Sequence, residues 1–187
     1  MTFTRGPRWD ANLGPEIIPV RDTETRARSD PEAATIVGEC CQALRAAFGE
    51  GAAVFKKVDS TLRGSLEGEL MAARDALDRR LIVLAPSLPA QGRTVARGRL
   101  VVEGVDQGPV LEGAAVVSLE TLRGGKDALA GQRGPLIVVD AVTDADLDLI
   151  AGQVATHRDM LPAGSAGLAA ALARSAGPPV PLARQPP

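Results

Sequence analysis

A chain of 187 residues that is 45% hydrophobic, with 21 basic against 23 acidic side chains, has the make-up of one compact domain around one core. Its formal net charge of -2 gives no broad basic field for a phosphate backbone, and with no Tyr, three Phe and one Trp it lacks stacking platforms, so nucleic acid is not an expected partner. One histidine and two cysteines cannot build an ordinary structural zinc site or a two-histidine relay, which leaves carboxylates, Arg, Lys and hydroxyls to carry any chemistry.

Residues 1–16 mix Gly6, Pro7, Gly14 and Pro15 with scattered charges and show no apolar period, so a loosely held arm is expected there. Arg5, Arg8 and Asp10 stand where a signal peptide needs an apolar run, and no stretch of about 18 apolar residues occurs; a cytoplasmic setting without membrane contact is expected. Residues 17–20 read as a strand. Ser29-Asp-Pro-Glu32 is a capping box with Pro in the first turn, and it opens a helix whose buried stripe is Val37, Cys40, Cys41, Leu44 and Phe48. The two cysteines, adjacent on that helix, cannot easily bridge and are expected as reduced core thiols. Gly49 and Gly51 end the helix, and residues 52–55 read as the next strand.

Beyond residues 56–64, Leu66, Leu70, Ala73 and Leu77 recur at helical spacing, and residues 81–85 form the strongest strand pattern. Residues 92–110 alternate between glycines and predict a β-hairpin excursion. A strand at 116–119, a helix over 121–130 and a buried strand at 136–140 follow. Thr143 and Asp146 are spaced to cap a helix running to about 156, and a last short helix starts near Gly167. Residues 176–187 are a proline-rich tail. Strands alternating with helices predict an α/β domain over residues 17–175, with a mainly parallel sheet flanked by helices on both faces.

In such sheets ligands bind beyond the carboxyl ends of the strands, which points to residues 22–26, 56–63, 86–93 and 140–144. Lys56-Lys-Val-Asp-Ser-Thr-Leu-Arg-Gly64 is the densest of these, with two ammonium groups, a carboxylate, two hydroxyls and a guanidinium between a strand and a helix. Arg grips carboxylates through paired hydrogen bonds, hydroxyls bond sugar hydroxyls, and Gly64 allows close backbone approach, a combination suited to a hydroxylated acid anion. The bland alternative is that Asp59 or Ser60 caps the following helix, Arg63 pairs with Asp59 and the lysines are solvated. A stiff Pro-rich loop would hold Gln91 and Arg93 over the strand ends, or serve only as a rigid turn. Asp140 could hold a substrate hydroxyl or cap the next turn, and Gly164-Ser-Ala-Gly-Leu168 suits either phosphate contact or tight packing. Arg123-Gly-Gly-Lys126 lacks the leading glycine and trailing hydroxyl of a phosphate loop, and His157 reads as a surface residue.

Lys56-Lys-Val-Asp-Ser-Thr-Leu-Arg-Gly64 and Ala85-Pro-Ser-Leu-Pro-Ala-Gln-Gly-Arg-Thr94 closely resemble the two most distinctive signatures of the four-carbon acid sugar kinases, in their N-terminal, substrate-binding domain. Asp22-Thr-Glu-Thr-Arg26, Asp140-Ala-Val-Thr-Asp-Ala-Asp-Leu147 and Gly164-Ser-Ala-Gly-Leu168 match in the same order. The resemblance implies a sugar acid such as threonate, erythronate or 3-oxo-tetronate held by Arg26, Lys57, Asp59, Ser60 and Arg63, with Arg93 nearby and Ser165 facing the nucleotide across a domain junction. It also implies ATP and Mg2+, bound mainly by a separate nucleotide-binding domain, with no metal ligands assigned here. The family's Asp-Asp-x-Thr-Gly, its best source of a base, has no counterpart in residues 1–16, and the segment between Pro109 and Val116 is short. The catalytic base is therefore unassigned, with Asp59 the remaining candidate. The expected role is the stand-alone or truncated substrate domain of a kinase that needs a separate nucleotide-binding domain, with a nucleotide-binding chain or a homo-oligomer as expected partner; a non-catalytic sugar-acid-binding remnant, sensor or scaffold is the alternative.

Overall fold

The computed structural model describes residues 2–4 and 18–177. In chain order the elements are β1 (Thr2–Thr4), β2 (Pro19–Arg21), α1 (Asp30–Phe48), β3 (Lys56–Lys57), α2 (Leu66–Ala76), β4 (Leu81–Ala85), β5 (Arg93–Ala96), β6 (Arg99–Val102), β7 (Val105–Pro109), β8 (Ala115–Val117), α3 (Leu119–Arg123), β9 (Leu136–Val139), α4 (Asp144–Thr156), β10 (Met160–Gly164) and α5 (Ala166–Ser175). A five-stranded parallel sheet runs in the order β3-β10-β4-β9-β8. It is the α/β architecture that the apolar runs at 81–85 and 136–140 predict. Both runs are continuous because both faces of the sheet are covered. On one face Val37 of α1 and Leu70 and Ala73 of α2 pack against Ile82, Leu84, Val138 and Leu161. On the other, Leu147 and Ile150 of α4 and Leu168 of α5 pack against Leu81, Val83, Ile137 and Val139.

β5, β6 and β7 form an antiparallel sheet where the hairpin excursion is expected, and Val95 of β5 exchanges two backbone hydrogen bonds with Ala141, docking it on the rim of the main sheet. β1 pairs in parallel with β2. Residues 5–17 and 178–187, the rest of the expected arm and most of the tail, lie outside the described residues. Glu32 accepts from the Ser29 N–H and hydroxyl at the start of α1, as its capping box predicts. Cys40 and Cys41 of α1 form no disulfide; Cys41 is buried and Cys40 only half-buried, and burial pushes the Cys41 pKa up to about 11.

Several boundaries differ from the sequence reading. The strand expected at 17–20 is Pro19–Arg21, with Ile18 just outside it. The helix expected over 121–130 stops at Arg123, where Gly124 and Gly125 interrupt it; beyond them the Asp127 carboxylate accepts from the Leu129 and Ala130 N–H groups, closing a turn. β10 has no counterpart in the sequence reading, although it pairs with β4 along all five of its residues. Pro162 hides it, because proline is rare inside a sheet.

The same proline explains why the ladder expected at 52–55 forms only at Lys56–Lys57. Gly164 faces β3, since its carbonyl accepts from the Val58 N–H at 2.8 Å, and Pro162, two residues earlier, faces the same way with no N–H to offer. Arg79 takes over at that end, donating to the carbonyls of Glu50, Ala52 and Arg158.

Candidate functional site: a cationic loop at the sheet edge

At the carboxyl end of β3 the chain turns through residues 58–65 into α2. Val58 is buried and Leu62 packs against the same core, so these two anchors pin the loop while its polar residues stay at the rim. The Leu62 N–H donates to the Asp59 carbonyl, and Leu62 and Gly64 take left-handed backbone angles, φ 61 and 96 degrees. Glycine suits the φ of 96 degrees at Gly64, and the loop after β2 runs alongside, with the Arg26 Cα 3.4 Å from where a Cβ would lie. In that loop the Asp22 carboxylate accepts from the Glu24 N–H, which shapes the turn that delivers Arg26.

Arg26, Lys57, Asp59 and Arg63 thereby meet. Asp59 accepts from Arg63 Nε at 2.6 Å and Nη2 at 3.2 Å and from the Thr61 hydroxyl at 2.8 Å, and Arg26 Nη2 lies 3.8 Å away. The Arg63 hydrogen bonds hold the Asp59 carboxyl far below the usual carboxylate range, against the opposing effect of burial. Lys57 donates to the Val58 carbonyl; burial lowers its pKa, as do the charges of Arg26 and Lys56, while Asp59 pulls the other way. Three cationic side chains thus surround one carboxylate that Arg63 already engages. The Arg26 and Arg63 side chains are 64% and 62% exposed, so this positive charge faces outward on an open rim where an anion can reach it. Ser60 is buried at the loop base.

The Arg63–Asp59 pair is the arrangement of the bland reading, yet it is not internal, because Arg63 stays exposed. Lys56 departs from both readings: its ammonium forms a 2.6 Å ion pair with Glu69, with the two side chains only 16% and 13% exposed. A base works best with a pKa near the operating pH. Asp59, whose Arg63 hydrogen bonds hold it far below that, is a weak base.

The other expected residues lie toward the middle of the sheet's carboxyl end. Arg93 begins β5 and donates through Nη1 to the Gln91 side chain, while its buried Nε makes no hydrogen bond. Asp140 is 2% exposed and accepts from the Arg97 and Gly98 N–H groups at 2.7 and 2.8 Å, clamping the β5–β6 turn rather than the turn that follows it in sequence. Ser165, expected to face a nucleotide, is fully buried: its hydroxyl donates to the Ser87 carbonyl at 2.6 Å and accepts from the Gly167 N–H at the start of α5. Cβ atoms on Gly164 and Gly167 would fall 2.4 Å from the Ala85 carbonyl and 2.6 Å from the Ser87 carbonyl. The glycines there serve close packing, and with the Ser165 hydroxyl consumed this turn does not fit a phosphate cradle. His157 is partly buried and bonds Asp127 at 2.6 Å. A cleft of about 450 Å3 lined by Gln42, Arg45, Glu50 and Asp75 sits at the C-terminal ends of α1 and α2, at the opposite end of the sheet. No helix among the described residues is long and apolar enough to cross a membrane.

The chain is a doubly covered parallel α/β domain with an exposed cationic loop at its carboxyl edge, where ligands of such sheets bind. A family model described as a sugar-binding N-terminal domain matches residues 10–112 and 107–172, and the chain belongs to that family, the N-terminal domain of the four-carbon acid sugar kinases. It is 36% identical to a D-threonate kinase of Salmonella typhimurium over 82% of this chain and 43% of the relative, so it spans less than half of that protein's length. A domain of unknown function from Bordetella bronchiseptica, crystallised with bound citrate as a domain-swapped dimer, superposes with a TM-score of 0.70 at 34% identity, over 84% of this chain and 44% of that one. A Haemophilus influenzae protein at 22% identity shares the fold, with a TM-score of 0.77 over 95% of this chain and 51% of that one.

Proposed function

We propose that this chain holds the sugar acid in an ATP-dependent four-carbon acid sugar kinase of the threonate, erythronate or 3-oxo-tetronate type, and that the nucleotide is bound by a separate domain. The observation that carries this reading is the cluster of Arg26, Lys57 and Arg63 around the single carboxylate of Asp59 on an open rim. A substrate carboxylate would be drawn to Arg26, Arg63 and Lys57, while the Thr61 hydroxyl stands in the same loop for its hydroxyls, above the buried Ser60. The citrate in the Bordetella protein is also a hydroxylated carboxylate, which supports this ligand class.

Phosphoryl transfer is mostly positioning and charge stabilisation, so a domain that fixes the acid contributes directly. ATP and Mg2+ would reach the acid from that separate nucleotide-binding domain, and the base that activates the hydroxyl would come with them. Asp59 is poorly suited to that role, since its hydrogen bonds with Arg63 make it a weak base. Its commitment to Arg63 also favours a second reading, in which the isolated domain binds a sugar acid without catalysis.

A coupled assay of ADP release with D-threonate separates the two readings when the purified chain is tested alone and with the C-terminal part of a D-threonate kinase. Release that needs both the acid and the added domain is the expected result. Threonate binding without release in either condition would leave the binder, and no binding at all would overturn both.

A further inference from the structure

Beneath the cationic loop lies a second, inward-facing network. Glu69 of α2 binds Lys56 through Oε2 at 2.6 Å and accepts from the Thr25 hydroxyl through Oε1 at 2.6 Å. Thr25 is 5% exposed, and a further contact at 3.1 Å joins it to the Thr23 hydroxyl. Lys56 immediately precedes Lys57, and Thr25 immediately precedes Arg26. One carboxylate therefore fastens the two chain segments that supply two of the three surface cations, on the side opposite the site.

We propose that Glu69 is the positioning residue of the anion site, setting the spacing of Arg26 and Lys57 over Asp59 without touching the ligand. The proposal rests on the sugar-acid reading above. Its two oxygens are divided between the two segments, and neither Lys56 nor Thr25 has another side-chain partner that would hold its segment to α2. Charge and position make opposite predictions here. Glu69→Gln removes a negative charge near the site and strands the Lys56 ammonium, so electrostatics alone would tighten anion binding. Positioning predicts weaker binding.

The experiment titrates D-threonate by calorimetry into wild type, Glu69→Gln, Thr25→Val and Thr25→Ser, and follows hydrogen exchange at the Arg28 and Leu62 amides of the two segments. Glu69→Gln and Thr25→Val should each weaken binding about tenfold and speed exchange at both amides, and Thr25→Ser, which keeps the hydroxyl, should restore both. Should Glu69→Gln fold poorly, the Thr25 pair decides alone. Equal or tighter binding by Glu69→Gln, or by Thr25→Val, would overturn the proposal. If wild type fails to bind D-threonate, the sugar-acid reading falls; unchanged exchange in the variants would then remove the Glu69 role as well, whereas faster exchange would uphold it as the fastener of the two loops.

Discussion

Two regions at the carboxyl end of the sheet carry the residue types of an active site, and they use them in opposite ways. In the middle, Ser87, Asp140 and Ser165 are at most 2% exposed, and each is spent on internal hydrogen bonds that lock the β5–β7 sheet, the 86–92 loop and the start of α5 together. At the edge, Arg26 and Arg63 hold their charges in solvent around one shared carboxylate. Residue type does not distinguish a site from a joint; charge that stays reachable from solvent does.

If this contrast is right, changes in the middle should act on folding and changes at the edge on binding. The largest effect is expected for Gly167→Ala, whose new Cβ would meet the Ser87 carbonyl at 2.6 Å and the Leu147 Cδ1 at 2.8 Å. Backbone cannot yield cheaply there, so urea unfolding should report a loss of about 3 kcal/mol. Arg63→Ala sits at the other pole: its melting temperature should stay close to wild type, while its affinity for D-threonate falls by roughly 10- to 100-fold. A variant that unfolded without losing affinity would reverse the assignment of the edge.

Acid sharpens the contrast further. Asp146, 2% exposed, caps α4 with Thr143 and pairs with Arg123 through both oxygens, and its pKa is lowered to about 2, with the Arg123, Val142 and Thr143 hydrogen bonds outweighing burial, which pushes it up. A depressed carboxylate stabilises the fold above its ordinary pKa of 3.8 and loses that contribution as pH falls through about 2. Stability should therefore drop by about 2 kcal/mol over that window, and Arg123→Ala should flatten the drop, as followed by circular dichroism during acid titration.

The fold was largely legible because β4 and β9 are unbroken apolar runs and Ser29, Thr143 and Asp146 sit at helix starts with recognisable spacing. β10 escaped notice because Met160-Leu-Pro-Ala-Gly164 has a proline where a sheet interior needs a donor, which is tolerable only because that side of the strand has no ladder to complete. The cationic loop was legible as a cluster of types. Its local Arg63–Asp59 pair was also readable from the i,i+4 spacing, whereas Lys56 turning inward to Glu69, Asp140 reaching across to the 97–98 turn and Ser165 facing Ser87 are long-range pairings that no local spacing encodes.

The most direct measurement is amide chemical-shift mapping as D-threonate is added to the purified chain. Saturable shifts should be concentrated in residues 24–28 and 57–64, and vanish with Arg63→Ala. Shifts clustered instead around Gln42, Arg45 and Asp75 at the opposite end of the sheet, or an unaltered response in Arg63→Ala, would contradict an anion site built on the 56–64 turn.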